Sequence, residues 1–294
     1  MDFATPDDLR SLLSRTYLAD ERACLVCFLG IKLGKPILVE GPPGVGKTDL
    51  ARALAEVLKR PYLRLQCYEG LDEGRALYEW NHAKQLLAVT LRKNDVASLT
   101  TNAIDAGLGE LYTREYLLAR PLLQALDSDP GAVLLIDEVD RADPEFEAFL
   151  LEFLAENQVT IPELGTIKSK APPLTLLTTN GTREMTDALR RRCLHLFLDY
   201  PSPVQEQKII ELRVPGISHL LTDQVSRFML RLRKEELQKV PSISESIDFA
   251  RALMLLMKSA LDPELVRDLL PTLLKHEEDR ERIAPKVERL LAEP

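Results

Sequence analysis

Five short apolar runs punctuate this chain, and stretches with helical spacing separate them. The runs are Pro36-Ile37-Leu38-Val39-Glu40, Tyr62-Leu63-Arg64-Leu65-Gln66, Ala132-Val133-Leu134-Leu135-Ile136, Leu174-Thr175-Leu176-Leu177-Thr178-Thr179 and Leu194-His195-Leu196-Phe197-Leu198. The third is apolar at every position, as a strand buried on both faces requires. Strands alternating with helices predict an α/β fold: a five-stranded parallel sheet with helices on both faces. Pro201-Ser202-Pro203 breaks the pattern, and beyond it the chain reads as helical to its end. The expected organisation is therefore an α/β core over 1–200 and a smaller all-helical domain over 201–294.

Two segments interrupt the alternation. From about 71 to 126 the chain makes a helical excursion that carries its only tryptophan, Trp80, with Tyr78, Tyr112 and Tyr116. Such aromatics serve either as core or as a partner surface. After the third run, Asp143-Pro144 suits a helix cap and first turn, with Phe146, Phe149, Leu150, Phe153 and Leu154 following at helical spacing. Two β-prone runs around Pro162-Glu163-Leu164-Gly165 then predict a hairpin over about 158–170.

The chemistry sits at the ends of the apolar runs. Gly41-Pro42-Pro43-Gly44-Val45-Gly46-Lys47-Thr48 follows the first run and precedes a helix-forming stretch beginning at Asp49. Strand, glycine-rich turn and helix are the required context of a phosphate cradle. Backbone N–H groups and the helix N-terminus face anionic oxygens, Lys47 reaches the β/γ-phosphates, and the Thr48 hydroxyl suits Mg²⁺. The expected nucleotide-contacting set is Gly41 through Asp49 together with Asp137. That aspartate ends the third run with Glu138 beside it, at the sheet edge where ligands of open α/β folds bind. Asp137 is suited to holding Mg²⁺ through water and Glu138 to polarising the water that attacks ATP. Asn180 ends the fourth run, where its amide is suited to orienting that water.

Composition narrows the partners. A formal net charge of −8 argues against a nucleic-acid or anionic-membrane footprint spread over the whole protein. The acidic N-terminus lacks a signal-peptide pattern, and no run approaches the roughly 18 apolar residues of a membrane span. The expected location is cytoplasmic. Cys24 and Cys27 form a C-x-x-C on one face of an apolar helix, and Cys67 and Cys193 stand alone, so packing is the expected role of all four.

The two acidic and glycine-rich motifs, Asn180, the run Asp187-Ala188-Leu189-Arg190-Arg191-Arg192-Cys193 before the fifth strand, and the helical C-terminal part together resemble an AAA+ ATPase. The excursion and the hairpin resemble the helix-2 insert and pre-sensor-1 hairpin of the MoxR branch. Leu65-Gln66-Cys67-Tyr68-Glu69-Gly70-Leu71-Asp72, Leu77-Tyr78-Glu79-Trp80-Asn81 and Ile136-Asp137-Glu138-Val139-Asp140-Arg141-Ala142-Asp143 are similar to CoxD-type proteins within it. The resemblance implies that Asn180 is sensor 1, that 201–294 is a lid, and that Arg192 or alternatively Arg191 is a finger reaching ATP bound by a neighbouring subunit. It further implies a ring, hexameric in form, that acts with a von Willebrand factor A-domain partner on a client metalloenzyme of the molybdenum hydroxylase class. One departure stands out: where the family carries a sensor-2 arginine near the start of a lid helix, this chain reads Pro241-Ser242-Ile243-Ser244-Glu245-Ser246-Ile247-Asp248-Phe249-Ala250-Arg251, and Arg251 lies further along. Two other classes stay open, a nucleotide-gated scaffold and a nucleic-acid remodelling ATPase. Glu138 and the arginine triplet argue against the first, and the acidic charge against the second.

Overall fold

The structure is a computed structural model that describes residues 3–92 and 111–292. Nine strands are present among them: β1 (Ile37–Glu40), β2 (Tyr62–Gln66), β3 (Tyr78–Trp80), β4 (Leu117–Ala119), β5 (Val133–Asp137), β6 (Gln158–Ile161), β7 (Gly165–Lys168), β8 (Leu174–Thr179) and β9 (Leu194–Phe197). All five predicted strands share one sheet in the order β2-β5-β8-β1-β9. The pairs β2 with β5, β5 with β8 and β8 with β1 are parallel. Their register sets Gln66 opposite Asp137 and Glu40 opposite Thr179. The carboxyl ends of four strands therefore meet at one edge, which is where side-chain chemistry gathers in this architecture.

Burial explains the sequence pattern. Every residue of β5 and of β8 is buried, so neither strand shows the polar alternation of a half-exposed one. Leu134, Ile136, Leu122, Leu126, Phe146, Leu150 and Phe153 lie in one core cluster. The helix Pro144–Glu156 presents the predicted Phe146, Leu150 and Phe153 to that cluster. Its cap differs from expectation. Asp143 does occupy the N-cap, but its carboxylate makes no capping bond and instead accepts the Gly70 N–H at 3.1 Å.

The predicted hairpin forms, with β6 and β7 antiparallel and Ile161 opposite Gly165. Val159, Ile161 and Ile167 turn into the core, while Thr160 and Thr166 share a hydroxyl contact of 3.2 Å on the exposed side. The excursion is not wholly helical as expected. Helices Glu73–Leu77, His82–Arg92 and Pro121–Asp127 flank an antiparallel β3–β4 pair with Tyr78 opposite Ala119 and Trp80 opposite Leu117. Trp80 packs edge-on against Tyr78 and Tyr112; Tyr116 is buried, Tyr78 and Trp80 are half-buried and Tyr112 is exposed, so the four divide between core and surface. Residues 93–110 of the excursion lie outside the described residues.

By contacts the chain divides into two compact units. The first joins Leu25–Glu40 to Ala51–Leu196, and the second joins Phe3–Cys24, Gly41–Leu50 and Phe197–Pro294. The second unit has its own core, including Ile210, Val225, Phe228, Phe249, Val266 and Ile283. Beyond β9 the described residues are helical, as the sequence predicted. A buried ion pair braces these helices. Arg233 grips Glu206 through both guanidinium nitrogens at 2.6 and 2.7 Å and also donates to the Ser246 hydroxyl at 3.1 Å.

Candidate functional site

The glycine-rich loop belongs to the second unit and the acidic strand end to the first. In the loop, Gly44 has φ 75°, and a side chain there would bring Cβ within 2.2 Å of the Ser242 hydroxyl. At Gly41 a Cβ would lie 2.0 Å from the Leu198 carbonyl oxygen. Both positions admit only glycine, for conformation in the first case and for space in both. Lys47 opens the helix Lys47–Leu58 and is 7% exposed. Its ammonium donates to the carbonyls of Gly41 at 2.5 Å and Pro42 at 2.8 Å. A buried cation held inside its own loop, at the start of a helix, makes a concave site of positive potential suited to phosphate. Pro42, Pro43 and Val45 shape the loop, and Thr48 is half-buried in the first turn. Asp49 is committed elsewhere, paired with Arg213 at 2.9 Å.

A cavity of about 170 Å³ opens beside the loop. Tyr17, Leu18, Tyr200, Ile209, Ile243 and Ile247 contribute to its wall, together with Gly44 and Gly46. Asp20, Asp49, Asp199 and Arg213 also line it, so the recess is of mixed polarity. The Tyr17–Leu18 segment carries no motif that would have marked it in the sequence.

In the first unit, Asp137 is 5% exposed and both its oxygens are engaged. Oδ2 accepts from Arg64, from Nε at 2.9 Å and from a terminal nitrogen at 2.6 Å. Oδ1 accepts the Thr178 hydroxyl. That hydroxyl in turn accepts the Glu138 N–H at 2.9 Å. Glu138 sits in the left-handed region with φ 56° and ψ 50°. Its Oε2 accepts from Gln66 at 3.0 Å and pairs with Arg141 at 3.1 Å. Its Oε1 accepts the Asn180 amide at 3.4 Å. The strand end thus brings Asp137, Glu138 and Asn180 together, as their positions predicted.

Asp140 fixes the segment that carries Asn180. Its Oδ2 accepts the N–H groups of Asn180 at 3.2 Å and Thr182 at 3.0 Å, and the Thr182 hydroxyl at 2.6 Å. Burial pushes this carboxyl up, but the hydrogen bonds from Thr182 and Asn180 outweigh it and hold the group below the usual carboxylate range. Its Oδ1 is buried and has no partner. Next to it, Arg183 pairs with the fully buried Glu147. Arg64 and Thr178 belong to no motif, and Gln66 and Asp140 lie in the strings 65–72 and 136–143 with no role attached to them there. The alternation of Arg64 and Gln66 marks one face of β2 as polar, but only the strand order sets that face beside β5.

Arg190, Arg191 and Arg192 end the short helix Asp187–Arg192. All three are exposed, and their side chains have no ion pair among the described residues. Arg251 is exposed and pairs with Asp248 at 3.4 Å. The four cysteines are buried and free. Burial pushes the Cys67 and Cys193 thiols up to about 12 and Cys24 up to about 11, which suits packing rather than reactivity. Among the described residues no three His, Cys, Asp or Glu could hold a metal ion by themselves, and no helix is long and apolar enough to cross a membrane.

A glycine loop closing on a buried lysine, and a parallel sheet ending in paired carboxylates, define a P-loop nucleotide-binding protein. The profile of the AAA domain, dynein-related subfamily, matches residues 36–193, and the chain belongs to that family. It is 28% identical over 262 residues to an uncharacterized protein of Staphylococcus saprophyticus, a match spanning 86% of this chain and 89% of that one. A second uncharacterized protein, from Staphylococcus epidermidis, is 27% identical over 263 residues, with the same coverage of both chains. Among solved structures, a mutant of Thermotoga maritima RuvB aligns over 96% of this chain and 76% of its own, with a TM-score of 0.50 at 17% identity. That likeness is one of fold.

Proposed function

We propose that the protein is an Mg-ATP-hydrolysing AAA+ remodelling ATPase of the MoxR type, CoxD-like, that helps mature the metal centre of another enzyme. The observation that carries hydrolysis is Glu138, whose carboxylate accepts the Asn180 amide at 3.4 Å and has partners other than those of Asp137. A carboxylate with no role beyond a solvated turn would need no such set of partners. The loop from Gly41 to Thr48 binds the phosphates, and Lys47 leaves its own carbonyls to neutralise them. Thr48 and Asp137 are hard oxygen donors of the kind Mg²⁺ takes one or two at a time beside phosphate and water, and they would hold it. The ion supplies charge neutralisation at the phosphates when bound. Glu138 takes the proton of the attacking water and Asn180 orients that water. Arg192, or else Arg191, reaches the site of a neighbouring copy, and its freedom from ion pairs leaves it available for that contact.

The remodelling role rests on the strings 65–72, 77–81 and 136–143, which resemble CoxD-type proteins. From that resemblance follow a hexameric ring, a von Willebrand factor A-domain partner and a molybdenum hydroxylase as client. Lys47→Ala will lose tight ATP binding, whereas Glu138→Gln will keep it and lose turnover. Equal ATP affinity in wild type and Lys47→Ala removes the anchoring role of Lys47, and wild-type turnover in Glu138→Gln removes the water-activating role of Glu138; a wild type that binds ATP without turning it over would refute the ATPase reading and favour a scaffold whose nucleotide only gates its contacts.

A further inference from the structure

In the acidic cluster Arg141 pairs with Glu138 and Arg64 with Asp137, and the surroundings of Arg64 give it more than a packing role. It stands on β2 two residues before Gln66, so both side chains leave the same face of the strand. The guanidinium contacts Asp137 Oδ2 twice, and its terminal nitrogen also donates to Gln66 Oε1. Holding that oxygen turns the other end of the amide outward, and Gln66 Nε2 donates to Glu138 Oε2 at 3.0 Å. The result is a continuous chain from Asp137 through Arg64 and Gln66 to Glu138. Exposure is unequal along it: the Asp137 side chain is 6% exposed and that of Arg64 is 41% exposed. A carboxylate so buried requires a countercharge. A guanidinium already two-fifths in water can move away and remain solvated, so the arginine is the mobile partner.

We propose that Arg64 is a positioning residue that pairs with Asp137, competes there with an incoming divalent cation, and couples the exchange to Glu138 through Gln66. Arg64 and the cation draw on the same carboxylate, whose Oδ1 already accepts the Thr178 hydroxyl and whose Oδ2 accepts from Arg64 twice. When Arg64 leaves, the Gln66 amide loses the donor that sets its orientation, and its hold on Glu138 weakens. The catalytic carboxylate is thereby restrained until the cation has arrived. This inference rests on the Mg-ATP reading above.

The test is a pair of affinities measured on the full chain with a fluorescent ATP analogue, one with Mg²⁺ and one in EDTA. Their ratio reports what the cation adds to binding, independently of turnover. In Arg64→Ala the ratio will rise roughly five- to tenfold, the range expected when one charge-assisted, partly exposed pair no longer has to be broken. The rise will lie in the Mg²⁺ arm, with the EDTA arm moving less than about twofold. Arg64→Lys keeps the charge without the planar fork and will fall between wild type and Arg64→Ala. Should Arg64→Ala fail to fold, Arg64→Gln must show the same rise. An unchanged or lower ratio in a folded neutral variant overturns the proposal while leaving the ATPase reading intact. Wild-type protein that binds no nucleotide overturns both.

Discussion

Removing the Asp140 carboxylate should loosen the sensor segment by an amount that its contacts allow to be worked out. Oδ2 gathers three donors, the N–H groups of Asn180 and Thr182 and the Thr182 hydroxyl. Hydrogen bonds to a charged acceptor contribute about 1.5–3 kcal/mol each when buried. Thr182 is exposed and its two groups can rehydrate, so about 1 kcal/mol apiece is the better figure for them, with about 1.5 kcal/mol for Asn180. Against this, Asp140→Ala also removes the buried, partnerless Oδ1, which relieves about 1 kcal/mol. The net loss is about 2.5 kcal/mol. With a urea slope of about 2 kcal/mol per molar, the midpoint falls by roughly 1 M. Trp80, the chain's only tryptophan, lies in the same unit and its emission reports the transition. The pH dependence has a fixed sign. Because the folded carboxyl is held below its ordinary range, wild type's advantage over Asp140→Asn is complete above about pH 4. It fades as pH falls through the folded value. A midpoint shift under about 0.25 M for Asp140→Ala, within the range of an ordinary surface change, would refute the reasoning.

Two further outcomes follow from the proposed function. Arg192→Ala will bind ATP nearly as wild type does but hydrolyse it slowly, and mixing it with Lys47→Ala subunits will restore some turnover; no rescue in demonstrated mixed rings excludes a finger shared between subunits, and the same test on Arg191→Ala distinguishes the two. Replacing Ile161-Pro162-Glu163-Leu164-Gly165 with a short Gly/Ser turn will leave basal ATPase within about threefold while abolishing the metal and sulfur loading of a co-expressed molybdenum hydroxylase, and a fully loaded client would free the hairpin of that role.

What the sequence disclosed was whatever is local. β5 had to read as continuously apolar because it is buried on both faces, and the loop had to carry Gly44 because its φ of 75° and the nearby Ser242 admit nothing larger. What it concealed depends on distant pairing. β3 and β4 are three residues each, too short to show a period, and they meet across about 40 positions of chain. Asp143 looks like a cap from its neighbours alone, yet Gly70, 73 residues away, takes its carboxylate. Arg64 and Gln66 sit in a run legible as a strand, but nothing local says that β2 lies beside β5.

Asp137 and Glu138 show how that missing information bears on mechanism. As adjacent residues they look like one motif, but Glu138 takes the left-handed conformation and the two carboxylates have different partners. Such a conformation in a residue other than glycine costs about 1–2 kcal/mol and persists only where the surroundings enforce it. Here the Thr178 hydroxyl does so with a single atom, donating to Asp137 and accepting from the Glu138 N–H. Thr178 lies on β8, the strand that also delivers Asn180. The strand neighbour on one side thus engages both acidic residues through Thr178 and Asn180. The neighbour on the other side, β2, links the pair through Arg64 and Gln66. A shift of either strand against β5 would change how Asp137 and Glu138 are held, and on the proposed function it would thereby alter the carboxylate that would hold the cation relative to the one that would activate water.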